Sequence, residues 1–102
     1  MYVITIIYNQ PTDPAAFDEY YTANHVPLVH AIGGVASFSM SHCESLDDTP
    51  PAAFAIARLG FASKDDAVKA LSSPEGQAAA ADVANFASGG ATMLFGEVPD
   101  EG

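Results

Sequence analysis

From Tyr2 to Tyr8 the chain runs Tyr-Val-Ile-Thr-Ile-Ile-Tyr, β-branched and aromatic throughout, before Pro11, Asp13 and Pro14 stop it. Such a run reads as a strand. Successive strand residues point to opposite faces, so Ile4 and Ile6 share one face while Val3 and Ile7 share the other. Both faces are apolar, and both need cover. A single layer of helices covers only one.

The rest of the chain supplies that layer. Asp13 before Pro14 is an N-cap followed by a proline at the first helical position, which predicts a helix from Pro14 to about Asn24 or His25. Pro27 is expected to bend or end it, with a short continuation through Leu28 to Ile32 before Gly33-Gly34. Val35 to His42 alternates, with Phe38 and Met40 on one face and Ser37, Ser39 and Ser41 on the other, as a strand does. The acidic stretch from Glu44 to Pro51 is a loop. Ala53 to Phe61 is a third strand, with Ala53, Ala55 and Ala57 on one face. Ser63 caps a helix through Leu71, and Ser73-Pro74-Glu75 starts another that runs to about Phe86. Gly89-Gly90 breaks it, and Ala91 to Val98 is the fourth strand.

The order is β-α-β-β-α-β with the second helical region split in two. This is the α+β, ferredoxin-like arrangement of an antiparallel sheet with helices on one face. Its other face remains apolar in strands one, three and four, and large exposed apolar patches mark interfaces. A homodimer closed sheet to sheet is therefore expected. With 102 residues the chain has room for one domain, residues 1–98, followed by an acidic tail at 99–102.

Charge narrows the partners. Thirteen acids oppose three bases, Arg58, Lys64 and Lys69, for a net charge of −10. Nucleic acid and anionic membrane surfaces both call for clustered Lys and Arg, and no cluster exists. No apolar run approaches the ~20 residues of a membrane-spanning helix. The first residues lack the features of a signal peptide, and Cys43 has no second cysteine to pair with, so a cytoplasmic protein is expected.

Phe17, Tyr21 and His25 sit at i, i+4 and i+8, on one face of the first helix. If that face packs on the sheet, His25 ends an aromatic-lined crevice where Pro27 disrupts the helix. An imidazole there has two uses: general acid or base near neutral pH, or a cap donating to a carbonyl that the proline frees. His42 shares strand parity with Phe38 and Met40 and either faces a cavity or ends the strand. His30 suits the C-terminal end of the helical region. His25 and His30 are five apart rather than four, so no metal site is expected. Arg58 has the opposite parity to the small alanines, suited to a salt bridge across a dimer or to an anionic ligand. Cys43 is read as structural, and the adjacent acid pairs as solvated surface.

The set Phe17-x3-Tyr21-x3-His25-x-Pro27-Leu28, Ser73-Pro74-Glu75-Gly76-Gln77 with its alanine run, Asn85-Phe86 and Phe95-Gly96-Glu97 resembles the EthD family over nearly the whole chain. The resemblance implies a dimeric α/β-barrel in which two ferredoxin-like sheets pack together. Relatives implied by the resemblance sit in gene clusters for degrading ethers and aromatic compounds, and the best understood are lactone isomerases of the muconolactone type. There the helix histidine handles protons, and His25 matches it. Such an isomerase also uses a cysteine after the third strand; Phe61-Ala62-Ser63-Lys64 holds none, and Cys43 lies elsewhere.

The expectation is a cofactor-free, isomerase- or cyclase-like enzyme. Its substrate would be a small apolar carbonyl compound, a lactone or an oxidised breakdown product of an aromatic or ether. His25 would move the proton. Phe17, Tyr21, Leu28, Phe38, Met40 and His42 would hold the substrate. Two further functions stay open: a non-catalytic accessory protein of an oxygenase pathway, and a haem-binding or monooxygenase-like member of the wider superfamily.

Overall fold

The computed structural model describes residues 1–99. Four strands, β1 (Tyr2–Tyr8), β2 (Ser37–His42), β3 (Ala55–Phe61) and β4 (Ala91–Glu97), form one antiparallel sheet in the order β2-β3-β1-β4. This is the ferredoxin-like α+β fold. The helices are α1 (Pro14–Tyr20), α2 (Val26–His30), α3 (Lys64–Ser72) and α4 (Pro74–Phe86). Apart from Pro99, the acidic tail expected at 99–102 lies outside the described residues.

The caps fall where the sequence placed them. Asp13 accepts from the Ala16 amide, Ser63 from that of Asp66 and Ser73 from that of Gly76. Each satisfies a backbone donor that has no partner inside its helix. Gly76 also sits where α4 crosses the end of α3. A Cβ there would strike the Ala70 carbonyl and lie 2.9 Å from Leu71 Cα, so only glycine permits the approach.

Pro27 does not end the first helical region. Residues Tyr21–His25 form a π-helical turn, in which the Val26 amide donates to the Tyr21 carbonyl, and α2 continues to His30. The turn solves a periodicity problem. Residues 17, 21, 25 and 29 are spaced by four, which on a regular 3.6-residue helix drifts about 40° per step. The wider π turn offsets that drift, and Phe17, Tyr21, His25 and Val29 are all buried. π-bulges of this kind frequently occur at functional sites.

The sheet has two distinct faces. Ile4, Ile6, Tyr8, Ala55, Ala57, Leu59 and Phe61 are buried beneath the helices, the small alanines letting the helices come close. On the opposite face, register places Thr5 between Arg58 and Leu94, and Ile7 between Ile56 and Thr92. Leu94 is 52% exposed, while Ser37, Ser39 and Ser41 of β2 give one side of this face a hydroxyl rim. Among the described residues no helix is long and apolar enough to cross a membrane.

Candidate active site

Helix α4 presents Gly76, Ala79, Asp82 and Phe86 to the protein interior. Three of these are apolar or small, so Asp82 is an acid on a core-facing stripe, 7% exposed. A carboxylate is expelled from such a place unless its charge is met by hydrogen bonds. Three meet it. Tyr20 donates its hydroxyl to Oδ1 at 2.7 Å, Asn85 its amide to Oδ1 at 2.9 Å, and His25 Nδ1 lies 3.0 Å from Oδ2.

His25 is 3% exposed, packed 4.7 Å from the Phe86 ring and 5.2 Å from Tyr21, centre to centre. Burial is the largest influence on its acidity and pulls the imidazole below its ordinary 6.5, against the Asp82 hydrogen bond and charge that push the other way. Burial alone would raise Asp82, but the hydrogen bonds from Tyr20, Asn85 and His25 hold it below its ordinary 3.8. The pair at neutral pH is therefore an ionised carboxylate beside a neutral imidazole. Because a carboxylate only accepts, the imidazole proton sits on Nδ1, and Nε2 keeps its lone pair. Nε2 has no hydrogen-bond partner among the described residues. His25 thus does not cap a freed carbonyl; its orienting partner is a carboxylate 57 positions away.

His25 lines a cleft between the helices and the sheet. The walls are Tyr8 and Ile6 of β1, Tyr21, Val29 and Ile32 from the first helical region, and Phe38, Ala57 and Leu59 of β2 and β3. Leu71, Gly76, Ala79, Ala80 and Val83 of α3 and α4 complete them, with Met93 from β4. The space, counted out to its open mouth, is about 410 Å³, of which about 30 Å³ is wide enough for the centre of a water molecule. That is room for one or two waters. Phe38, half-buried, and Met93, 38% exposed, are the lining residues nearest to solvent among its large side chains.

Of the residues expected to hold a ligand, Tyr21 and Phe38 line this cleft with His25. Phe17 does not. It is buried behind the cleft in an aromatic cluster with Tyr8, Tyr21, Phe54 and Phe86, at centroid distances of 4.9–5.8 Å. Leu28 and Met40 are half-buried against the core, outside the cleft lining. His42 is exposed at the end of β2, its Nε2 2.7 Å from Asp18 Oδ1 and its ring edge-on to Phe54. His30 packs edge-on to Phe38 at 6.0 Å, away from the His25 ring. Arg58 is on the open sheet face, as its parity requires, and among the described residues it forms no ion pair. No three His, Cys, Asp or Glu side chains among the described residues come together as metal ligands would.

Asp82 and Tyr8 were among the residues of the site not expected. Asp82 carried one signal, a lone acid at the core-facing spacing of an alanine-rich helix. Tyr8 carried only its strand parity with Ile4 and Ile6.

The model of the EthD domain family matches residues 9–90 of the chain. An uncharacterized 11.0 kDa protein from the thcB-thcC intergenic region of Rhodococcus erythropolis is 62% identical over 95 residues, covering 93% of this chain and 92% of its own. Among solved structures, an EthD family protein from Bacillus halodurans C-125 superposes with a TM-score of 0.91 at 25% identity, over 97% of this chain and 99% of that one. A dimeric ferredoxin-like protein from Jannaschia sp. CCS1 superposes at 0.70 with 12% identity, over 96% and 100%, a likeness of fold alone.

Proposed function

The chain belongs to the EthD domain family, and from that premise we propose that it is a cofactor-free enzyme moving a proton within a small, flat carbonyl compound such as an unsaturated lactone or an oxidised aromatic product. The single observation that carries this is the buried His25–Asp82 pair, with Nε2 left free at an apolar cleft. In the reaction, Nε2 takes a proton from a carbon adjacent to, or conjugated with, the carbonyl. The C–H electron pair moves through the conjugated system onto the carbonyl oxygen. Asp82 offsets the charge on the imidazolium while it lasts. The same proton then returns to a different carbon, the pair flows back from oxygen, and the compound leaves isomerised with atoms and electrons balanced.

General base catalysis of this kind contributes about 10²–10⁴-fold, so orientation within the slot supplies the rest. The non-catalytic alternative rests on the lack of a second group beside His25; Asp82 at 3.0 Å weakens it. The open sheet face, with Ile7, Ile56 and Arg58 on its two central strands and Leu94 on the edge strand β4, supports a homodimer closed sheet to sheet, as does likeness to a protein described as dimeric.

The test is exchange of carbon-bound hydrogen for deuterium when a panel of butenolide lactones and phenolic ketones is incubated with the protein in heavy water. The expected result is exchange next to the carbonyl of at least one compound and its loss in His25→Gln. Exchange at the wild-type rate in His25→Gln would overturn the assignment.

A further inference from the structure

Buried polar groups in folded proteins almost always find a hydrogen-bond partner, because an unpaired one forfeits its hydration for nothing. Tyr8 and Tyr21 come close to breaking that rule. They are 0% and 2% exposed, and neither hydroxyl makes a well-formed hydrogen bond; each has only the other phenol to interact with. Both rings stand in the wall of the His25 cleft. Apart from these two phenols and the imidazole, every residue lining it is apolar or glycine.

The packing here is made by the rings, and the oxygens add at most a weak contact with each other. The Tyr8 ring packs edge-on to Phe17 and Tyr21 at 5.3 and 6.0 Å, and a phenylalanine would make the same contacts. What the oxygens add is a pair of donors beside a base. Burial pushes Tyr21 up to about 12 and drives Tyr8 higher as well, Tyr21 and Asp82 adding to the rise for Tyr8. Both hydroxyls therefore keep their protons at neutral pH and remain donors.

We propose that the Tyr8 and Tyr21 hydroxyls together receive the carbonyl oxygen of the ligand and stabilise the enolate that forms when its neighbouring carbon loses a proton. This rests on the cleft being a ligand site, and it names the ligand class: a carbonyl compound with an acidic C–H, whose enolate has one strongly accepting oxygen. Two preorganised donors aimed at developing charge in an apolar site are the usual means of holding an oxyanion. Neither phenol transfers its proton. As the C–H pair shifts to the ligand oxygen the two hydrogen bonds strengthen, and they relax when the proton is returned to carbon.

The probe is 4-nitrophenol, whose phenolate mimics the enolate and whose absorbance distinguishes bound phenolate from bound phenol. Wild-type protein should bind the phenolate. Tyr8→Phe and Tyr21→Phe should each weaken it roughly 10- to 100-fold, the range for a hydrogen bond to a charged acceptor. Without ligand, both variants should melt within a few degrees of the wild-type temperature, because neither oxygen makes a well-formed hydrogen bond. His25→Gln separates this claim from the preceding one: it should abolish carbon deuteration, while in that background Tyr8→Phe and Tyr21→Phe still each weaken phenolate binding. Phenolate binding undiminished in both tyrosine variants would overturn the proposal, whatever His25 does. So would a wild-type protein that binds no 4-nitrophenolate. Variants that melt lower with affinity intact would show that the hydroxyls serve the fold, and would overturn it too.

Discussion

Replacing Asp82 by asparagine keeps the shape of the side chain and changes its hydrogen-bond grammar. Oδ1 can still accept from Tyr20 and Asn85, but the atom facing His25 Nδ1 at 3.0 Å becomes an amide nitrogen, a donor opposed to a donor. The imidazole relieves the conflict by moving its proton to Nε2, so that Nδ1 accepts from the amide. It stays in place and ceases to be a base. The stability cost is three charge-assisted hydrogen bonds exchanged for neutral ones, partly offset because no charge is then buried, about 1–3 kcal/mol. For a domain of this size each kcal/mol lowers the melting temperature by about 4–8 °C. The loss in proton-transfer rate should instead approach the whole general-base contribution, about 10²–10⁴-fold. Nitrogen-15 shifts of the His25 ring, thermal melting and carbon deuteration measure the three effects separately. An Asp82→Asn protein that keeps its proton on Nδ1, or that exchanges carbon-bound hydrogen at the wild-type rate, would refute the reasoning.

Acid should weaken both folding and activity. As pH falls through 6.5 the unfolded chain protonates its histidine while folded His25, held lower, does not, so the unfolded state binds more protons and urea midpoints drop. Below 3.8 Asp82 adds a further loss for the same reason, and the acid limb of the deuteration rate should fall below 6.5. Phe86 touches Tyr8, Phe17, Tyr20, Tyr21 and His25, so Phe86→Ala should cost about 3–5 kcal/mol in urea unfolding. A cost under about 1 kcal/mol would mean that the cluster is not the core of the domain. Leu94→Asp on the open sheet face should convert the proposed sheet-to-sheet dimer to a monomer in sedimentation velocity without altering the His25 ring shifts; an unchanged sedimentation coefficient would place the interface elsewhere.

The fold was legible because its determinants are local. Asp13, Ser63 and Ser73 cap helices through backbone atoms three residues away, and strand parity put the alanines of β3 inward and Arg58 outward without knowledge of any partner. The apolar run at both parities in β1 showed that helices could cover only half the sheet. The candidate site was legible only in part. His25 and Tyr21 were found by helical spacing, whereas Asp82 reaches His25 across 57 positions through the packing of α4 on the first helical region, which no local pattern encodes. Spacing also overreached. Phe17 shares a face with His25 yet lies behind Tyr21, and His42 has the parity of Phe38 but sits at the strand end, where Asp18 claims it. Pro27 marked a disturbance correctly, but the chain absorbs it in a π turn instead of stopping.

Proton transfer in this cleft requires His25 to be a neutral base, oriented by Asp82 and reachable by a ligand. Nitrogen-15 NMR of the three imidazoles across pH, with and without a butenolide lactone, measures each of these properties. His25 should carry its proton on Nδ1 at neutral pH, titrate below 6.5, and alone among the histidines shift when the lactone binds. A His25 that is protonated on Nε2, or that titrates identically with and without every lactone and phenolic ketone tried, would contradict proton transfer through this residue.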